Sequence, residues 1–317
     1  MDKGGPRFTT VTVFGGATLD RIARTDFPVV LGASNPGTVR RLPGGVGFNV
    51  ASILARLGMA TRLVSRVGAD SDGDAVAMAA RATGIDAAAL TVSAIFPTGG
   101  YHATFDDEGN LIVGVADMKI TEEITPANLA AVTAERRDGD FWVIDANLPA
   151  ETIGFLAEEA GAAGRPLAAL TVSPAKAVRL IPVLDRLTHL FTNRREAAAL
   201  LGRDAEHATV ADLALELAGT RETQVVVTNG NEPLAAASGG DVRSFAPLRA
   251  AVKAVNGAGD SFAAGAIHGI AEGLALNDAV RVGLAAAALT LESGSALDAP
   301  FAEGALAARI ASGIKAA

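Results

Sequence analysis

Short β-branched runs alternate with helical segments along most of this 317-residue chain, and that alternation leaves few architectures open. Thr10 to Phe14, Thr61 to Val67, Phe141 to Ile144, Pro166 to Val172, His189 to Thr192 and Gln224 to Thr228 are short and apolar, as buried strands are. Between most of them apolar residues recur at helical spacing, over Val50 to Leu57, Asp74 to Thr83, Glu151 to Ala163 and Val210 to Leu217. Strands joined through helices pair in parallel, and a parallel sheet needs helices on both faces. A three-layer α/β/α sandwich around a central, mainly parallel sheet is therefore expected.

Two segments break the alternation. Asp20 to Leu42 lacks a helix pattern, and Gly99 to Val115 holds two strand-like runs around the turn Asp106-Asp107-Glu108-Gly109-Asn110, which reads as a hairpin. Such strands join a parallel core poorly. Residues 20–42 and 99–115 are accordingly placed in a small β-rich lid, inserted in one domain spanning residues 1–317. From Gly273 through Leu291 the chain is Ala-rich and helical, and a final helix is expected after the loop at Ser293 to Pro300.

Charge and residue usage remove several function classes. With 27 Lys and Arg against 35 Asp and Glu, the net charge is −8, so no overall field attracts a nucleic acid polymer or an anionic membrane. An anionic ligand would need a local site. The absence of cysteine excludes a disulfide framework, a thiolate zinc site and thiol catalysis. The four histidines, His102, His189, His207 and His268, have no metal-ligand spacing. The N-terminal apolar run is strand-length rather than a secretion signal, and the stretch around Leu284 to Leu291 is too short to span a bilayer, so a cytoplasmic protein is expected.

Three stretches could hold chemistry. In residues 253–265, KAVNGAGDSFAAG, the small residues Gly257-Ala258-Gly259 stand where a helix begins, so free N–H groups and the positive end of the helix dipole can receive a phosphate. Asp260 would stabilise a first helical turn in any protein. Beside a phosphate site, however, a carboxylate suits a base that takes a proton from a hydroxyl attacking phosphorus. In PGGVGFN, Gly44 and Gly45 let a hydroxyl-rich ligand approach the backbone, and Asn49 offers both a donor and an acceptor, although turn-and-cap chemistry explains the same residues. Asn193-Arg194-Arg195-Glu196 puts an amide and a carboxylate after a strand's C-terminal end, where ligands bind in open α/β sheets. That pair suits hydrated Mg²⁺, although a capping Asn with a surface Glu is the usual explanation of such a motif standing alone.

Taken in order, the Gly-Gly-x-x-x-Asn loop, N-x-x-E and GAGD resemble the PfkB (ribokinase-like) family of sugar and nucleoside kinases over nearly the full length. Asp20 in GGATLD, Gly68 and Asp70 in VGAD, and Thr228 with Gly230 match further family positions. The resemblance implies a ribokinase-like fold and transfer of the γ-phosphate of ATP with Mg²⁺. It implies Asp260 as base, the N–H groups of Gly257, Ala258 and Gly259 on the migrating phosphoryl group, and Asn193 with Glu196 on the metal through water. Asp20, Gly44, Gly45 and Asn49 would hold the sugar hydroxyls, while Asn193, Thr228, Gly230, Gly257 and Gly259 would bind the nucleotide. Ser34-Asn35-Pro36-Gly37, Asp117-Met118, Asp145-Ala146-Asn147 and Val172-Ser173 with Lys176 are similar to members that phosphorylate the 5'-hydroxyl of the C-nucleoside pseudouridine. Ser34, Asn35, His102 and Asp117 are then candidates for the base or lid contact. The expected partners are a nucleoside, ATP and a second copy meeting through the lid.

The chain departs from the pattern at several positions. Phe48 stands where pseudouridine-phosphorylating members usually have Arg, and Leu170-Thr171 replaces an acidic residue and Pro. Glu232 to Leu234 lacks a second glycine near the nucleotide. Ala254-Val255 replaces an Asp-Thr pair tied to a monovalent cation, which argues against potassium activation. Another nucleoside or ribose is the alternative acceptor. A non-catalytic nucleoside-binding regulator is the alternative of another class.

Overall fold

The computed structural model describes residues 7–135, 139–219, 222–253, 255–301 and 303–314. Ala254 of the Ala254-Val255 departure and the last three residues of the expected final helix lie outside them. In chain order the first half forms β1 (Thr10–Phe14), β2 (Thr18–Thr25), β3 (Gly37–Gly44), α1 (Val46–Arg56), β4 (Ala60–Gly68), α2 (Ser71–Ala82), β5 (Leu90–Ser93), β6 (Gly100–Phe105), β7 (Leu111–Asp117) and α3 (Pro126–Ala134). There follow β8 (Asp140–Asp145), α4 (Ala150–Ala162), β9 (Leu167–Leu170), α5 (Pro174–Ala177), β10 (His189–Asn193), α6 (Arg194–Leu201) and α7 (Val210–Ala218). The chain ends with β11 (Gln224–Asn229), β12 (Glu232–Ser238), β13 (Asp241–Phe245), α8 (Ala258–Ala271), α9 (Leu276–Ser293) and α10 (Glu303–Ile314).

Nine described strands form one sheet in the order β13-β12-β11-β10-β9-β8-β1-β4-β5. From β11 to β5 all neighbours are parallel, while β12 and β13 add an antiparallel edge. Alternate residues of each central strand enter opposite faces, as the period of two requires. Val11, Val13, Phe141 and Val143 join a core under α1, α8 and α9. Phe14, Trp142 and Ile144 join a second core under α4, α6 and α7. The result is the expected three-layer body. Among the described residues, no helix is long and apolar enough to cross a membrane.

A smaller sheet, β3-β2-β6-β7, stands beside this body. The hairpin expected around Asp106 to Asn110 is its β6–β7 pair, and β2 joins it by pairing parallel with β6. Two ion pairs tie this lid to the main body: Arg21 on β2 and Arg41 on β3 both reach Asp72 in the first turn of α2.

Candidate active site

The main sheet and the lid meet at the loops after β1 and β3. Helix α1 begins four residues earlier than its apolar periodicity indicates, because its N-terminus is capped from elsewhere in the chain. Gly45, its N-cap, has no side chain to offer and adopts φ 89°, where a Cβ would stand 2.5 Å from the Gly16 carbonyl oxygen. Instead Asp145, at the end of β8, accepts hydrogen bonds from the Gly47 N–H at 2.9 Å and the Gly16 N–H at 2.8 Å. Its other oxygen accepts from the Asn147 N–H. Burial raises the Asp145 carboxyl above its ordinary value, against these bonds and the nearby Lys176 ammonium. Asp20, on β2, lies against Gly44, whose Cβ would fall 2.3 Å from Oδ2. It accepts hydrogen bonds from the Thr18 hydroxyl and the Tyr101 N–H. Burial raises its pKa as well.

Across this loop α8 presents the GAGD stretch. Gly257 is its N-cap at φ 77°, so Ala258 and Gly259 are the first two helical residues rather than a loop before the helix. The Ala258 N–H is occupied by the Val255 carbonyl at 3.3 Å. The Gly257 and Gly259 N–H groups have no partner among the described residues and remain free for an anion. Asp260 accepts a 2.7 Å hydrogen bond from the Asn49 amide on the first turns of α1, which links the Gly-Gly loop to the GAGD stretch 211 residues away. Although the residue as a whole is partly exposed, its carboxyl group is enclosed, and burial pushes its pKa up to about 6. The Asn49 bond opposes that rise, while the like charges of Asp145, Asp20 and Glu196 add to it. A carboxylate so placed can take a proton near neutral pH.

A cleft of about 190 Å³ opens here, lined by Asn193, Glu196, Thr228, Gly259 and Asp260 together with Thr171. Asn193 and Glu196 form a capping box at the start of α6, so the capping explanation of N-x-x-E is realised. The same residues face the cleft. Oε2 of Glu196 accepts from the Thr171 hydroxyl and the Asn193 N–H, whereas Oε1 has no hydrogen-bond partner among the described residues. No cluster of three or more acidic or histidine side chains capable of holding a metal occurs among the described residues. One free carboxylate oxygen beside an amide fits a hydrated Mg²⁺ carried mainly by phosphates, not a cage made by the protein.

Several expected site residues lie outside the cleft lining or make local contacts of their own. Ser34 is exposed, and the Asn35 side chain is consumed by its own loop, accepting from the Val30 N–H and donating to the Val30 and Ala33 carbonyls. Asp117 is exposed and accepts from the Lys119 N–H. The register pairs His102 with Arg21 rather than with Asp20, yet the His102 ring lies close enough to favour the charged form of the Asp20 carboxyl. Gly230 takes φ 63° in the exposed β11–β12 connection, outside the cleft lining. Asp70 caps α2 by accepting from the Gly73 N–H. Phe48 is wholly buried in the core. Sequence reasoning left Asp145 without a structural role. Val172, named there only within the Val172-Ser173 resemblance, proves to be a cleft residue at φ 67° whose flanking Ser173 N–H and Thr171 carbonyl are bonded at 2.8 Å.

A base candidate, free helix-terminal amides and a cleft at the carboxyl ends of parallel strands define a site suited to group transfer onto a hydroxyl. The chain belongs to the pfkB family of carbohydrate kinases, whose family model matches residues 9–301. It is thus a phosphotransferase acting on a hydroxyl of a sugar or nucleoside. Among curated relatives, Escherichia coli K12 pseudouridine kinase is 28% identical over 288 residues, covering 86% of this chain and 87% of its own. Bacillus subtilis ribokinase is 26% identical, covering 89% and 92% respectively. Among solved structures, a carbohydrate kinase from Agrobacterium tumefaciens superposes with a TM-score of 0.81 at 35% identity, covering 96% of this chain and 97% of that one.

Proposed function

We propose that this kinase transfers the γ-phosphate of ATP to the 5'-hydroxyl of pseudouridine, giving pseudouridine 5'-phosphate and ADP. The observation that carries the proposal is the Asp260 carboxylate, gripped by Asn49 from the Gly-Gly helix and set beside free amides at the start of α8. In the proposed reaction a bond forms between the 5'-oxygen and the γ-phosphorus, while the bond from that phosphorus to the β–γ bridging oxygen breaks. The proton of the 5'-hydroxyl passes to Asp260, and the electron pair of the broken bond leaves with ADP. The Gly257 and Gly259 N–H groups stabilise the charge spread over the migrating phosphoryl oxygens. Asn193 and Glu196 hold the water shell of Mg²⁺, and Thr228 borders the nucleotide. When bound, Mg²⁺ supplies charge neutralisation on the β- and γ-phosphates.

The acceptor assignment is supported by the SNPG, Asp117-Met118, DAN and Val172-Ser173/Lys176 resemblances and by the similarity to the E. coli pseudouridine kinase. Asp20, Gly44, Gly45 and Asn49 border the space for the ribose, and the lid over them would exclude competing water. The buried Phe48, in place of the pattern's Arg, favours a second reading in which another nucleoside or ribose is the acceptor. ADP release measured with pseudouridine, uridine, cytidine, adenosine and ribose separates them. Pseudouridine has a ring N–H that uridine lacks, and a buried acceptor built for it would discriminate by about 5- to 150-fold. Equal use of both nucleosides, or use of ribose alone, refutes the assignment.

The same reading includes a homodimer formed through the lid. Val39, Val113 and Val115 share one face of the small sheet and are each more than half exposed. Sedimentation should give a dimer, and Val113→Lys should shift it to monomer; a wild-type monomer at tens of micromolar refutes this part.

A further inference from the structure

The GAGD turn is closed on one side by the loop after α9. A Cβ on Gly257 would lie 3.1 Å from the Ala296 methyl, so the position of that loop helps set the position of the N-cap. The loop has few bonds of its own, chiefly those of the Ser293 and Ser295 hydroxyls. The carbonyl oxygens of Ala296, Leu297 and Ala299 instead converge on one cation, the guanidinium of Arg56 at the last residue of α1. Nη1 donates to Ala296 at 3.0 Å and to Leu297 at 2.9 Å, and Nη2 donates to Ala299. Its carbon also lies 5.2 Å from the centre of the Phe301 ring. The Ala296 and Leu297 carbonyls have no other partner among the described residues.

We propose that Arg56 is a positioning residue for phosphoryl transfer: a built-in cation that gathers the 296–299 carbonyls and so holds Ala296 against Gly257. This rests on the reading of Gly257 and Gly259 as the phosphoryl-binding amides. Helix α1 bears Asn49 near its start and Arg56 at its end, so one rigid helix sets both the Asp260 carboxylate and the loop behind the amides. A planar fork with several donors suits three carbonyls arriving from one side, whereas a lysine ammonium does not span them. Amides that act on the migrating group in the transition state alter kcat more than substrate affinity.

The test uses the full-length enzyme with whichever of pseudouridine, uridine and ribose the wild type phosphorylates. Arg56→Ala should lower kcat by about 10- to 100-fold, the scale expected when a catalytic group is displaced by about an ångström, with both KM values changed less than about threefold. Guanidinium at tens of millimolar should recover a large part of that loss in Arg56→Ala, while sodium chloride at equal ionic strength should not. Wild-type kcat in folded Arg56→Ala, or a loss that guanidinium leaves untouched, overturns the assignment. If Arg56→Ala does not fold, Arg56→Lys takes its place: a lowered kcat with preserved KM supports the assignment, and a wild-type kcat overturns it. Asp260→Asn is assayed alongside. Its normal turnover would refute the site reading itself, whereas its loss of turnover beside an unaffected Arg56 variant refutes only the role of Arg56.

Discussion

The hydrogen bond from Asn49 to Asp260 should be visible in the acid limb of the rate profile. With the Asp260 pKa at about 6 in the free enzyme, the proposed base loses its charge as pH falls through that value, so kcat/KM should decline on the acid side with a midpoint near pH 6. The 2.7 Å bond from the Asn49 amide favours the charged carboxylate. A hydrogen bond to a charged group is worth about 1.5–3 kcal/mol, and 1.36 kcal/mol corresponds to one pH unit. Water admitted by Asn49→Ala would restore part of it, which leaves an expected upward displacement of about one unit, to a midpoint near pH 7. At pH 6 the ionised fraction would then fall from about one half to about one tenth, a further fivefold loss of rate that is absent on the alkaline plateau. ADP release at substrate concentrations well below KM from pH 5 to 9, with circular dichroism to confirm folding, measures both midpoints. Ionisation of ATP is common to the two enzymes and cancels in the comparison. Any contact of Asn49 with the acceptor changes the height of the profile, not its midpoint. An unmoved or lowered midpoint in Asn49→Ala refutes the electrostatic account of Asp260.

Asp260→Asn should reduce kcat by about 10²- to 10⁴-fold and leave nucleoside affinity within a few-fold; near-normal turnover in the folded variant removes Asp260 as base. Glu196→Gln should raise the Mg²⁺ concentration giving half-maximal rate, since a neutral amide holds the metal's waters less well, and an unchanged Mg²⁺ curve leaves Glu196 with capping alone. His189, buried at the start of β10, is lowered by desolvation to about 4 from 6.5. Its stabilising contribution is complete above pH 6.5 and is lost as pH falls toward 4, because the unfolded chain takes up the proton first. The loss reaches about 3 kcal/mol below pH 4. Urea unfolding should therefore show a smaller stability drop between pH 7.5 and 4.5 in His189→Gln than in the wild type, and equal drops contradict the burial argument.

Local patterning by itself determined the layers. Val13-Phe14, Phe141 to Ile144 and Val225 to Val227 are apolar at consecutive positions because both sides of a parallel sheet are buried, and that is legible without knowing what covers them. The turn at Asp106 to Asn110 likewise announced its hairpin, and the glycines before Asp260 announced a helix start open to an anion. Local signals failed where the partner is distant in the chain. The periodicity of α1 gave no hint that it begins at Val46, because the carboxylate that accepts its Gly47 N–H is Asp145, 98 residues beyond Gly47. Asn35 looked like a ligand residue by its motif, yet the Val30 and Ala33 backbone completes its hydrogen bonding. Only the tertiary structure decided that Asn49 meets Asp260, that His102 pairs in register with Arg21, and that Arg56 closes the loop beside Gly257. Strand and helix periods depend on side chains a few residues apart, whereas an enclosed carboxylate acquires its pKa from groups that folding alone brings together.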